Sequence, residues 1–210
     1  LNKIEWIMKQ YIETRHEKFI TDLKTIINID SSRDNKDGIE KVARFFEKRF
    51  TRIGFNTEVL FLGDQKVPCL YAEHLPSKKP FDIMFLGHLD TVFPTGEVEK
   101  RPFSIKGNRA FGPGVCDMKG GLLVVLHVLE TLRHEVLLEQ LSVCVAFNGD
   151  EETGSDASRD WIMAMAKKSR QTFVFEPCRP GYRFVLQRKG GGWFNIIAKG
   201  QQAHAGADPE

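Results

Sequence analysis

FDIMFLGHLDTV, residues 81–92, is the stretch on which the fold turns. The second half of FDIMFLG is apolar on both alternating faces. That is the mark of a strand covered on both sides, not of one with a wetted face. The character then changes at once, because a histidine and an aspartate stand where the strand should end. In open α/β sheets, chemistry collects beyond the C-terminal ends of strands. The stretch predicts an α/β layer fold and marks the place to look for a site.

The flanking sequence fits such a fold. Residues 2–28 predict a helix, with Ile4, Ile7, Met8 and Tyr11 on one face and Phe19, Ile20, Leu23, Ile26 and Ile27 continuing the pattern. A second helix starts at Asp37, which stands at capping-box spacing from Glu40. Val42, Ala43, Phe46 and Phe50 form its stripe, and Gly54 stops it. Strands are expected over 57–62 and 67–73. After residue 88 comes a loop-rich stretch with a hairpin at Gly107 and Asn108. A helix over 118–134, an apolar strand over 141–148, a helix over 155–168 and a short strand over 172–176 follow. This alternation predicts a mixed, largely parallel sheet flanked by helices. Gly190, Gly191 and Gly192 read as a hinge, after which 193–199 begins a new strand.

Composition narrows the function. Lys and Arg number 30 against 28 Asp and Glu in 210 residues, for a net charge of +2. That balance gives no long-range pull toward nucleic acid or an anionic membrane, so neither is expected as a partner. With 41% hydrophobic residues and sixteen Phe, a real core can form. The longest apolar run, 122–126, ends at His127, far short of the roughly 20 residues a membrane span needs. The opening LNKIEWIMKQ is amphipathic and lacks a leader's apolar centre, although a start at Leu1 leaves a removed leader open. Cys69, Cys116, Cys144 and Cys178 form no C-x-x-C pair. They read as buried free thiols in a reducing compartment, the cytoplasm.

Four segments deliver acid or imidazole to what could be one sheet edge. His88 and Asp90 follow the strand quoted first. In extended chain, residues i and i+2 point the same way, so Asp90 can hold one ring nitrogen of His88 and leave the other for a metal. Glu151 and Glu152 follow the strand over 141–148, where neighbouring carboxylates can divide into metal ligand and base. Asp117 sits in GPGVCDMKGG at the mouth of a helix, and Glu176 precedes Pro177. Each has a plainer reading alone: a hydrogen-bonded surface histidine, a solvated acidic loop, a helix N-cap, a surface acid. The glycine-rich stretch matches neither phosphate-binding pattern, and its glycines better serve a turn that aims Asp117 inward. His16, His74, His127 and His134 read as structural or surface residues. No H-E-x-x-H helix is present.

Taken in order, GHLDTV, AFGPGVCDMKGG, FNGDEETGS, FEP and KGQQAHAG resemble one family across residues 80–206. It is the di-zinc metallopeptidase and amidohydrolase family that includes glutamate carboxypeptidase, succinyl-diaminopimelate desuccinylase, acetylornithine deacetylase and aminoacylase. The sequence is most similar to the glutamate-carboxypeptidase type, through HLDTVFPTG and the Glu of FEP. The resemblance implies that His88 and Glu176 bind one metal, Glu152 a second, and that Asp117 bridges them. It implies that Asp90 orients His88 and that Glu151 is general base and acid for a hydroxide held by the two metals. It also implies a cis peptide after Asp117, and that His204 reaches the oxyanion from a lid domain, often the partner subunit's. Zinc is the expected metal, two per full-length subunit, with cobalt or manganese fitting the same donors.

The family's catalytic domain is interrupted by that lid. Residues 1–187 are therefore expected to be the N-terminal part of the catalytic domain, and 188–210 the start of an α+β lid through which the protein dimerises. The last histidine ligand and the lid's substrate contacts would lie beyond Glu210, so the chain alone is expected to hold at most one metal well and to turn over poorly. The expected activity is hydrolysis of an amide or peptide bond in a small peptide or N-acyl amino acid. Carboxypeptidase and N-acyl deacylase or desuccinylase are not separated at this stage. A non-catalytic metal-binding relative of the fold is the alternative of a different class, and the presence of His88, Asp117, Glu151, Glu152 and Glu176 argues against it.

Overall fold

The computed structural model of the chain describes residues 3–76, 80–181, 183–192, 194–197 and 199–200. Its helices are α1 (Lys3–Thr14), α2 (His16–Ile27), α3 (Lys36–Arg52), α4 (Glu97–Lys100), α5 (Gly120–His134) and α6 (Arg159–Lys167). Its strands are β1 (Asn56–Leu62), β2 (Val67–His74), β3 (Phe81–His88), β4 (Ser104–Lys106), β5 (Arg109–Phe111), β6 (Val143–Asn148) and β7 (Ser169–Val174). The chain forms two compact units, Leu1–Pro177 and Cys178–Glu210.

In the first unit five strands form one sheet in the order β1-β2-β6-β3-β7. β1, β2 and β6 pair antiparallel, while β3 runs parallel to both β6 and β7. The sheet is mixed, as expected, and every residue of β6 is buried. Alternation along β6 explains why. Val143, Val145 and Phe147 enter the larger core with Val42, Phe46 and Phe50 of α3 and Leu122, Val125 and Leu126 of α5. Cys144 and Ala146 face the other way, into a smaller core with Phe81 and Met84 that Trp161, Ile162 and Met165 of α6 cover. Two faces covered by helices require an apolar residue at every position, whatever its parity. β4 and β5 form a separate hairpin around the turn expected at Gly107.

The start of the chain departs from expectation. The helix expected over 2–28 is two helices broken at Arg15, whose guanidinium turns to meet Glu130 at 2.8 Å. The cap of α3 is Asn35, not Asp37. The Asn35 side chain accepts from the Gly38 N–H at 2.9 Å, and Gly38 lies so close to the Asp30 carbonyl that a Cβ would overlap it. α6 begins at Arg159, four residues later than expected, because 155–158 form a turn around Asp150. Residues 194–197 and 199, expected within a new strand, belong to no regular element. A strand needs a neighbour to close its hydrogen bonds, and Phe194 and Ile196 are at least 90% exposed. Cys69 and Cys144 are buried, whereas Cys116 and Cys178 are exposed, which corrects the expectation for the last two.

Beneath α2, α3 and α5 lies a charged cluster that the hydrophobic pattern does not reveal. Arg49 donates to Asp22 at 2.6 Å and to Glu130, all three side chains being buried. Arg15 completes Glu130, and Lys18 and His127 complete Asp22 at 3.1 and 3.3 Å. His127 is thus structural, as is His134, which stacks on Tyr11. No helix among the described residues is long and apolar enough to cross a membrane.

Candidate metal centre

Parallel register brings the ends of β3, β6 and β7 to one edge. His88 lies opposite Asn148, and Leu86 opposite Val174. The residues just past these positions are Asp90, Asp150 to Glu152, and Glu176. His88 is 1% exposed and Asp90 fully buried. The His88 ring is held on both nitrogens. Nδ1 lies 3.0 Å from the Asp90 carbonyl and 3.3 Å from its carboxylate, while Nε2 lies 3.0 Å from Asp117 and 3.5 Å from Glu176. The Asp90 carboxylate also accepts from the backbone N–H groups of Glu151 (3.2 Å) and Glu152 (3.0 Å). One buried carboxylate therefore fixes the ring and the acidic pair together.

Asp117 arrives from the opposite side of the edge. The turn Val115–Lys119 precedes α5, and the Asp117–Met118 peptide is cis. Met118 packs against the end of β3, its sulfur accepting from the backbone N–H of His88 at 3.1 Å. Gly121 lets α5 approach the strand exit, since a Cβ there would sit 2.1 Å from the Phe175 carbonyl, next to Glu176.

Two groups of donors result. His88, Asp117 and Glu176 form one, and His88, Glu151 and Glu152 the other, with the donor atoms of each within 4.8 Å of one another. The electrostatics show how tightly these acids are crowded. Burial pushes the Glu176 carboxyl up, and the charges of Asp117 and Glu151 add to it against His88, leaving it at about 7. Glu152 is raised for the same reasons, burial first. Burial alone would depress His88, but its hydrogen bond to Asp90 and the charges of Asp90, Glu176 and Glu151 lift it to about 9. Imidazole and carboxylate donors converging at one edge, with Glu152 and Glu176 held back from ionising by burial and by neighbouring acids, are a chemically fitting cradle for a divalent cation of the zinc kind. A cavity of about 350 Å³ opens beside His88, Glu151 and Glu176, with Arg159, Ile162 and Met163 on its far wall.

Of the residues singled out in the sequence, His88, Asp90, Asp117, Glu151, Glu152 and Glu176 are thus brought together. His204 lies outside the described residues. Two participants were passed over. Asp150 is buried and accepts from Ala157 N (2.8 Å) and Ser158 Oγ (2.5 Å), anchoring the loop on which the acidic pair sits. Lys119 is 1% exposed, with Nζ 2.7 Å from the Ile29 carbonyl and 3.1 Å from that of Ile26. A lysine leading into the apolar face of α5 was the available signal.

Residues 84–187 match the family described as Peptidase family M20/M25/M40. The chain is 32% identical over 197 residues to carboxypeptidase G2 of Pseudomonas sp. (strain RS-16), covering 91% of this chain and 46% of that protein. It is 30% identical over 196 residues to a succinyl-diaminopimelate desuccinylase of Wolbachia sp. subsp. Brugia malayi (strain TRS), covering 86% and 47%. Among solved structures, human carnosine dipeptidase 1 superimposes with a TM-score of 0.68 at 18% identity, over 84% of this chain and 42% of that one. The M20 family metallo-carboxypeptidase Sso-CP2 from Sulfolobus solfataricus does so at 0.62 and 22%, over 79% and 39%. At those identities the two structures speak for the fold. The chain spans about half the length of the curated relatives it matches.

Proposed function

The chain belongs to peptidase family M20/M25/M40, and on that footing we propose that it supplies most of the metal centre of a hydrolase acting on amide or peptide bonds of small substrates. The observation that carries this reading is the meeting of His88 with two acidic groups at one sheet edge. His88, Asp117 and Glu176 would hold one cation. Glu152, with Asp117 shared, would hold a second. When bound, such cations polarise a carbonyl and acidify water.

The residues divide the remaining work. Asp90 engages His88 through Nδ1, which keeps Nε2 turned to the cation and fixes its tautomer. Glu151 is exposed at the mouth of the site, on a backbone held by Asp90. In this reading it takes a proton from the attacking water and delivers it to the departing amine. In the same proposal the metal domain runs to 187, residues 188–210 begin a lid, and His204 serves the oxyanion. Two zinc ions per subunit, a lid-mediated homodimer and a cytoplasmic setting belong to it as well.

For the substrate, the glutamate-carboxypeptidase type is preferred, on the likeness to carboxypeptidase G2. An N-acyl amino acid deacylase or desuccinylase is the second reading, favoured by the several relatives so described at 27–31% identity. The test is Glu151→Gln in the whole protein, assayed on Glu-terminal dipeptides and N-acyl amino acids. Turnover is expected to fall by about 10² to 10⁴ with metal content unchanged. Unchanged turnover, or loss of metal together with turnover, would remove Glu151 from its role.

A further inference from the structure

We infer that Lys119, which takes no part in the proposed chemistry, is a positioning residue. Its buried side-chain nitrogen ties the turn bearing Asp117 to the loop that holds Asp90, and so sets the spacing of the metal donors. The inference rests on the metal-centre reading above.

The contacts run in one line. Nζ of Lys119 donates to the carbonyls of Ile26 and Ile29, at the end of α2 and just beyond it. The backbone N–H of Lys119 donates to the Gly114 carbonyl at 3.0 Å, closing the turn from within. Two residues past Ile29, Ser31 takes hold of β3's extension on both sides of Asp90. Its hydroxyl donates to the Leu89 carbonyl at 2.9 Å, and its carbonyl accepts from Thr91 N–H at 2.9 Å. Asp90 in turn holds the ring of His88 and the backbone of Glu151 and Glu152. Lys119 is therefore the far anchor of a relay that reaches every donor segment except Glu176.

Asp117 depends on that anchor. Its side chain is 54% exposed, and its partners, His88 and Glu176, are themselves ligands of the same centre. The backbone must therefore place it, and two residues on that backbone is fastened by Lys119. The choice of residue is informative. Burying an ammonium is costly unless directional bonds compensate it. A methionine would fill a similar volume without that cost but could not bond two carbonyls at the C-terminal end of α2.

The test is titration of the whole protein with Co²⁺, following both affinity and the visible absorption of the bound ion. It compares wild type, Lys119→Met, Lys119→Gln and, as a stability control, Phe50→Leu, which touches none of the metal donors' hydrogen bonds. Lys119→Met is expected to weaken Co²⁺ binding by about 10- to 100-fold, the usual scale for losing an outer partner of a metal site, and to alter the absorption. Lys119→Gln, which keeps an N–H donor, is expected to fall between and stands in if Lys119→Met does not fold. Phe50→Leu should lose stability with affinity and spectrum intact. Variants of Lys119 that melt earlier yet bind Co²⁺ with wild-type affinity and spectrum would overturn the inference and leave the metal centre standing. Wild-type whole protein that takes up no Co²⁺ would overturn both.

Discussion

The imidazole of His88, itself almost closed to water, is engaged at Nδ1 by Asp90 and at Nε2 by Asp117 and Glu176. Its proton is held up to about 9, so at neutral pH an incoming cation must displace that proton, and another from Glu176 at about 7. Metal affinity should therefore climb as pH rises from 6 and level off above about 9, with proton uptake by the buffer visible in calorimetry. Affinity that is flat over this range would show that His88 is not a ligand. Stability of the metal-free chain should move the opposite way. A base whose folded value lies above its unfolded value of 6.5 stabilises the fold below 6.5, and that contribution fades as pH rises through about 9. Glu176, raised from 4.5 to about 7, adds a loss in the same direction over its own window. The residue scale was largely legible in the sequence, since the histidine and the acids stand next to apolar strands. Lys119 and Asp150 were not, because their roles come from carbonyls and N–H groups that only the folded backbone brings within reach.

Among the elements, α5 decides how closely the turn bearing Asp117 and the exit of β7 bearing Glu176 can approach. Gly121 is the point of contact, with the Phe175 carbonyl where a Cβ would be. Gly121→Ala must push helix and strand exit apart. It is expected to cost about 1–3 kcal/mol, as overpacking does, and to weaken Co²⁺ binding about tenfold, both measurable on the purified chain. Gly190→Ala, with nothing within 4 Å of the added Cβ, should change neither. Apolar periodicity placed nearly every helix and strand to within a few residues. It failed where backbone caps and ion pairs govern instead: at Arg15, which breaks the first helix to reach Glu130, at Asn35, which caps α3 in place of Asp37, and at 155–158, which wrap Asp150.

For the molecule as a whole, α2, α3 and α5 are joined by the buried cluster of Arg49, Asp22 and Glu130 as well as by their apolar faces. Hydrogen bonds from Arg49 and Lys18 hold Asp22 below its ordinary range despite burial, and burial depresses His127 beside it. Arg49→Met strands two buried carboxylates and is expected to cost about 3 kcal/mol or more, read from urea unfolding at pH 7. A loss well under 1 kcal/mol would mean that Lys18, His127 and Arg15 neutralise the cluster unaided. Sequence alone could not foresee this cluster, because its members are 27 to 108 positions apart and each looks like an ordinary surface charge. The sheet has one more consequence. β7 is bonded to β3 along one side, and no described strand runs along its other side. A ladder open on one side offers its unpaired N–H and C=O groups to any further extended segment, whether of the same polypeptide or of another.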